Sequence, residues 1–584
     1  MHASLGTDPI ANLSFIGDQR TVCAVASDGS LPLLSFPDIS DASIFSRLLS
    51  GSKGSAAEVF TEPASLAVGQ QLIERTNRVV TRFRQADACW EIMDFMVPGD
   101  AQLLVRVITA TKGDVTVRTR LAPSPDYERA APKFDVLNDR AIALANGAGA
   151  TVFSSSFGID VTDDCVSGAV SLAKGERAWI AIGDAAHEAL DLDGLISRTD
   201  AFWADFLRPL DTEAPHQSLM ERQALSAGLL HYEPGGGVLA AGTFGFPEAP
   251  GGERNWDYRF VWVRDSAVGA KALARLGFTD LAQKWLRFVM LNNQSCDRSP
   301  INLMLSPSGE VVDTETELDH FDGLLDARPV RVGNEASGQL QLDIFGELAF
   351  ALRALCECGA QPDDDLLDKM SELLDWLADN WNRPDSSIWE LRGEEKHYLF
   401  SRLMCWVAFR DTQAVFAHCG RDVEARWAEL EDEIADDIRQ RFWCEKKRSY
   451  MQTSECSTID AAVIAMRLFG FLERDDERWA LSKDRIREQL VKPEGVLRYP
   501  HDADDGFDSK DGTFVLCTCW WIEVLWMDGE HEEAYRVFDD LIARFDGGQM
   551  SEEVGEDGRM LGNMPQLFSH AGVIEAALRL GAPA

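Results

Sequence analysis

Cys517-Thr518-Cys519-Trp520-Trp521-Ile522-Glu523-Val524-Leu525-Trp526 carries a single charge in ten residues. A helix through this stretch has no polar stripe to turn toward water, so it demands burial on most sides. The next periodic segment starts after Asp528-Gly529-Glu530, where glycine supplies the left-handed cap that stops a helix. An apolar helix and its amphipathic partner, joined by a tight turn, form a hairpin with an inner and an outer member.

Working outward, the same 3.6-residue period runs from about residue 215 to the end and gives twelve helical segments. The first six are expected at 217–229, 265–277, 280–292, 342–359, 365–382 and 399–417. The other six are expected at 423–443, 457–472, 477–490, 517–529, 531–545 and 563–581. Short junctions such as Gly277-Phe278-Thr279 alternate with long ones at 230–264, 293–341, 383–398, 444–456, 491–516 and 546–562. An open solenoid would want a repeating sequence, and none is visible. Six buried helices inside six amphipathic ones make a closed (α/α)6 toroid, with the long junctions gathered on one rim. Residues 1 to about 205 read differently. Thr21–Val25, Gln102–Val107 and Val115–Leu121 are short, β-branched or alternating, and bounded by Gly, Asp and Pro. The expected fold is therefore a multidomain β + α chain: a β-sandwich over 1–210, then the helical domain over 215–584.

The formal charge of −40 repels nucleic acid and anionic membranes at long range and favours a neutral partner over a polyanion. No uncharged run of 18 apolar residues occurs, and the N-terminal text lacks the pattern of a signal peptide. Twelve cysteines are too dilute for a disulfide scaffold, and Cys356, Cys405 and Cys519 read as small core residues. Cytoplasmic residence is the expectation. Oligomeric state is not legible.

Polar, aromatic-rich motifs occupy the long junctions. Trp389-Glu390-Leu391-Arg392-Gly393-Glu394-Glu395-Lys396-His397 sets a glutamate beside an indole, where partial desolvation raises a carboxyl toward a working acid. Ser551-Glu552-Glu553 lies on the sixth hairpin's loop, across the ring from the third. Two carboxyls facing each other over a pit suit the cutting of a glycosidic bond; an inverting enzyme holds them roughly 6.5–9.5 Å apart to admit a water. Residue chemistry alone does not choose between Glu552 and Glu553. Arg254-Asn255-Trp256-Asp257-Tyr258-Arg259-Phe260-Val261-Trp262-Val263-Arg264-Asp265 interleaves aromatic rings with arginines and carboxylates, the groups that stack on and fork around a sugar. Asp265 also suits the first turn of a helix. Trp256, Arg264, Asp265, Asn334, Trp389, Arg392 and His397 are the candidate sugar-binding residues, and His570 either lines the pit or is bonded inside the last helix.

Other chemistries lack their motifs. Gly235-Gly236-Gly237 has no lysine or strand–helix context for phosphate, and no G-x-S-x-G elbow appears. Asp505-Gly506-Phe507-Asp508 and Asp511-Gly512-Thr513-Phe514 lack the oxygen ladder of a calcium loop. Neither a metal nor a cofactor is expected.

With these motifs the chain resembles glycoside hydrolase family 15, which holds glucoamylases, glucodextranases and bacterial trehalases. The resemblance extends to Phe15–Thr21, Asp94–Pro98, Gly333–Gln341, Met404–Ala408 and Gly562–His570, nearly the whole length. It implies inversion at a non-reducing-end α-glucose, with Glu390 as general acid, Glu552 as general base and Arg264 and Asp265 gripping the terminal glucose. It also implies that the stretch Leu31–Asp41 approaches the site. Trehalose is the expected substrate, with glucoamylase or isomaltose- and dextran-type cleavage next. A disaccharide phosphorylase and a non-catalytic sugar-binding protein are the alternatives from other classes.

Overall fold

The computed structural model describes residues 8–51, 54–99, 102–145, 150–162, 164–210, 215–312, 314–391, 393–455, 458–503, 506–507, 509–545 and 548–582. The N-terminal part is built from antiparallel strands. One sheet has eight strands in the order 134–138, 141–145, 150–155, 177–183, 103–112, 88–96, 79–85 and 66–72. A second has four, 159–162, 165–172, 115–122 and 56–61, and a third runs 13–17, 22–26, 33–35 and 43–45. Side chains from all three sheets, among them Trp90, Ile108, Val117, Val166, Ile16 and Phe45, meet in one core. Alternation along the eight-stranded sheet sends the intervening residues to its other face. There Phe95, Val105, Val107 and Trp179 are covered by Leu192.

Leu192 opens a helix the sequence reading did not separate. After α1 (Arg47–Ser50), α2 (Leu192–Phe206) packs over that outer face, N-capped by Asp191. The helical part follows as α3 (Gln217–Leu230), α4 (Val263–Arg275), α5 (Thr279–Leu291), α6 (Ile344–Glu357), α7 (Asp364–Asn380), α8 (Leu399–His418), α9 (Ala425–Arg441), α10 (Ala462–Leu468), α11 (Glu477–Gln489), α12 (Val515–Met527), α13 (His531–Ile542) and α14 (Leu567–Leu580). Eleven of the twelve expected segments lie within a few residues of these bounds. The exception is α10, expected over 457–472. It is shorter because Asp460 accepts the Ala462 N–H before its first turn and Gly470, at φ 73°, ends it.

The even-numbered helices α4 to α14 each pack on the next, and α14 packs back on α4. Each is paired with an outer neighbour, α14 with α3. α12, the apolar stretch, is buried from Val515 to Cys519 and again from Trp521 to Leu525. The strand part docks on this helical part. Gln549 exchanges two hydrogen bonds with the Phe15 backbone at 2.9 and 3.0 Å, and Tyr232 donates to Asp38 at 2.7 Å. Ten described cysteines are free, five of them buried in the core, while Cys444 is disulfide-bonded.

One ion pair is sealed inside the strand part. Arg106 and Asp94 are both 0% exposed, with Nε 2.7 Å from Oδ1. Arg106 also donates to the carbonyls of Ala57 and Gly29, tying neighbouring elements together. Removing one partner strands a buried charge and costs about 3–5 kcal/mol. Arg106→Met is expected to reduce the unfolding free energy of the strand part by that amount, read as a lowered denaturation midpoint, and Arg106→Met with Asp94→Leu to recover most of it. A midpoint unchanged by the single substitution contradicts this view.

Candidate active site

The long connections line a pocket at one end of the helical part. Trp256, Arg264, Asp265, Asn334, Trp389, Glu390 and Glu552 all line it. One segment organises the wall. Asn255–Asp257 pairs with Phe244–Pro247, Val261–Trp262 pairs with Met304–Leu305, and α4 begins directly after Trp262. Tyr258 and Trp262 project from this segment into the pocket, their rings edge-on with centroids 5.6 Å apart. Tyr258 donates its hydroxyl proton to Glu552 Oε1 at 3.0 Å, and the Trp262 indole donates to Glu390 Oε1 at 3.0 Å. The two glutamates come from separate loops, yet a single segment fixes both.

Glu390 sits in a turn with φ 55°, and Ser387 has φ 63°. A non-glycine residue rarely adopts this region unless its surroundings hold it there. Here the Glu390 N–H donates to Ser387 O, the Leu391 N–H to Ser386 O, and Gln339 Nε2 to Glu390 O, all at 3.2 Å. Arg264 then reaches Glu390 Oε1 at 3.0 Å, while its other bonds go to Ile388 O at 3.0 Å and Gln341 Oε1 at 3.2 Å. Asp265 Oδ2 lies 3.5 Å from the same guanidinium. Burial pushes the Asp265 carboxyl up to about 7 against the pull of Arg264, and the Glu390 charge adds to the rise.

The structure separates Glu552 from Glu553. Adjacent residues at a strand alternate faces. Glu553 belongs to the strand Glu553–Val554, paired on one side with Thr513–Phe514 and on the other with Met560–Leu561. Its carboxylate turns inward, 2.9 Å from Arg498 and accepting from Gly512 N at 2.7 Å. Glu552 faces the pocket and accepts from Tyr258 and, at 3.4 Å, from Gln566. Gly562 makes room for it, since a Cβ there would come within 2.5 Å of Glu552 Oε2, and φ is 74°. Burial raises the Glu552 carboxyl well above its ordinary value, and the Glu248 charge raises it further; Arg498 and the Tyr258 bond oppose the shift.

Arg498 and Glu248 escaped the sequence reading. Arg498 is buried and lies 2.7 Å from Glu248, 2.8 Å from Asp511 and 2.9 Å from Glu553. Glu248 Oε1 accepts from the Trp256 indole at 2.9 Å. Burial would lift the Glu248 carboxyl, but Arg498, Arg254 and these hydrogen bonds outweigh it and hold it below its ordinary value. The partners are 250 residues apart, so no local pattern marks them.

Some expected positions fall elsewhere. His397 does not line the pocket; its Nδ1 faces Arg402 at 3.0 Å, because the chain has turned away by that point toward α8. His570 is a core residue, its Nδ1 donating to Gln223 Oε1 at 2.6 Å and its Nε2 accepting from Met550 N at 3.3 Å. Asn334 lines the pocket, but its side-chain oxygen also caps a short 3-10 turn by accepting from Ala336 N at 3.0 Å. Arg392, Asp505 and Asp508 lie outside the described residues. No residue of Leu31–Asp41 lines the pocket. That stretch instead grips Arg259 through Ser35 Oγ at 2.9 Å and Ile39 O at 3.0 Å, and Arg259 in turn holds Asp257 at 2.8 Å.

Residues 214–578 match the family model for Glycosyl hydrolases family 15, and residues 4–172 match the model Trehalase-like, N-terminal. A trehalase of Thermoplasma volcanium is 28% identical over 581 residues, covering 97% of this chain and 92% of that protein. A trehalase of Mycobacterium tuberculosis is 28% identical over 616 residues, covering 98% and 89%. A bacterial glucoamylase solved with acarbose superposes with a TM-score of 0.74 at 13% identity, over 98% of this chain and 94% of that one. That likeness speaks for the fold.

A hydroxyl that donates to a carboxylate favours its charged form. Tyr258→Phe is therefore expected to move the Glu552 titration to still higher pH. Carbon-13 NMR of labelled glutamate, assigned against Glu552→Gln, reads the shift. Movement to lower pH contradicts the assigned bond.

Proposed function

The chain belongs to glycosyl hydrolases family 15 and is a glycoside hydrolase, and from that premise we propose that it is an exo-acting, inverting α-glucosidase whose substrate is α,α-trehalose. The observation that carries the reading is the pair Glu390 and Glu552 in one pocket, each bonded to the same short segment. Two carboxyls facing a sugar from opposite sides, with room for a water, are the machinery of inversion. Full-length similarity to proteins named trehalase supports the substrate. The closing contact of α14 on α4 supports an (α/α)6 toroid over 215–584, and the shared core of the three sheets supports a β-sandwich within 1–210. No described helix is long and apolar enough to cross a membrane. Ten free thiols support a reducing, cytoplasmic setting, with the Cys444 disulfide as the exception.

In this reading Arg264 and Asp265 grip the non-reducing glucose beside Trp389. Glu390 gives its proton to the glycosidic oxygen as the C1–O bond breaks, and the bonding electrons leave with that oxygen. Glu552 takes a proton from a water whose oxygen attacks C1 from the other face. Arg264 and Trp262 both meet Oε1 of Glu390, which supports Oε2 as the carrier of the transferred proton. Glu552 works only when ionised, and burial raises its pKa. The acid limb of kcat/KM is therefore expected above the ordinary carboxylate range, so that activity falls as pH drops through that raised value.

Glu390→Gln and Glu552→Gln are each expected to lower kcat by roughly 10²–10⁴-fold, the range of general acid–base catalysis, with the fold retained by circular dichroism. Proton NMR of early trehalose turnover should show α- and β-glucose in equal amounts, one anomer from each half. Release of α-glucose alone would mean retention, and glucose 1-phosphate formed only with phosphate would mean a phosphorylase. A kcat/KM that rises with maltooligosaccharide length would replace trehalose by a glucoamylase substrate.

A further inference from the structure

The pocket has a floor and a mouth. Ile388 and Phe568 line both this pocket and the internal cavity between the inner helices, so they form the floor, next to the buried Trp262, Arg264 and Asp265. Trp256 and Phe507 are only half-buried and stand toward solvent, their ring centroids 5.7 Å apart. Arg254 lies over the Phe507 ring at 4.7 Å. Glu248 is set into this outer wall. It follows the strand Phe244–Pro247, and its N–H donates to Arg254 O at 3.0 Å in a tight turn.

Glu248 is 1% exposed, yet it is neither of the two glutamates the reaction requires. Its surroundings leave it no freedom. The Trp256 indole fixes Oε1 at 2.9 Å, Arg498 fixes Oε2 at 2.7 Å, and Arg254 stands 3.7 Å from Oε2. A fixed carboxylate between two guanidiniums, beside half-buried aromatic rings, offers acceptors and donors to hydroxyl pairs and a flat surface to a ring. An oxygen of a carboxylate takes more than one hydrogen bond, so the bonds from Trp256 and Arg498 do not exhaust it. If the glucose being cut occupies the floor, the outer wall meets the leaving half.

We propose that Glu248 is the specificity-determining residue for the leaving sugar: its carboxylate accepts hydroxyl hydrogen bonds from a neutral second hexose, which Trp256 and Phe507 flank. The inference rests on the hydrolase reading above. A site built to bond hydroxyls discriminates strongly against a substrate without them. The leaving group therefore decides how much Glu248 matters.

The test compares two substrates in the full-length protein. Trehalose leaves as a hexose, whereas α-glucosyl fluoride leaves as a fluoride ion with no hydroxyl. Glu248→Gln keeps the shape and removes the charge. Loss of charge-assisted hydrogen bonds is expected to lower kcat/KM for trehalose roughly 10–100-fold more than for the fluoride. Any effect of the lost charge on Glu552 acts on both substrates and cancels in the ratio. Trp256→Phe, which keeps a ring but frees Oε1, should shift the ratio the same way by a smaller factor, and it serves if Glu248→Gln does not fold. An equal fall for both substrates in both variants overturns the proposal and leaves Glu248 a scaffold for Arg498. Wild-type protein that cleaves neither substrate overturns the hydrolase reading itself, and this inference with it.

Discussion

Carboxylates cannot be gathered in a dry pocket unless cations are buried with them. That constraint shapes this end of the molecule. Arg264 serves Glu390 and Asp265, with Asp343 and Glu347 buried close by. Arg498 serves Glu248, Asp511 and Glu553, with Glu552 at its edge. The two glutamates proposed as acid and base thereby fall into different environments. Glu390 touches a guanidinium directly, while Glu552 is held by a phenol and an amide.

The helical part supplies what two arginines do not. The residues at the N-cap positions of three inner helices, Trp262 on α4, Phe514 on α12 and Gln566 on α14, all line the pocket. Asp343 stands at the N-cap position of α6, within reach of Arg264's charge. Helix N-termini carry a positive partial charge, so a pit ringed by them favours negative groups. Hairpins with their long connections at one end bring those termini together. The strand part adds a brace: Leu31–Asp41 holds Arg259, Arg259 holds Asp257, and Asp257 precedes Tyr258, which holds Glu552.

Much of this was legible in the sequence, and the failures have physical causes. Period 3.6 located the helices because each is long and one-sided or wholly buried. It overextended α10, where a side chain takes the first backbone donor and a left-handed glycine ends the run. It passed over α2 because that helix is split between two cores, Leu192 covering the sheet and Trp203 joining the helical part. Glu390 and the Arg254–Asp265 motif announced themselves by local composition. Glu248 and Arg498 did not, since each is ordinary alone and significant only beside the other. Glu552 and Glu553 are chemically identical in sequence, and strand alternation with the space left by Gly562 separates them. His397 was misread because nearness in sequence to Glu390 does not survive the turn between them.

The central claim is that Glu390 and Glu552 address one glycosidic bond from opposite faces. A crystal structure with a sulfur-linked, uncleavable trehalose analogue tests it most directly. The expected result is Glu390 at hydrogen-bond reach of the linking atom, roughly 2.6–3.2 Å for an oxygen and slightly longer for sulfur, with a water between Glu552 and the far side of the anomeric carbon. Glu552 lying against that carbon with no water between them, or the analogue bound outside the pocket, would contradict it.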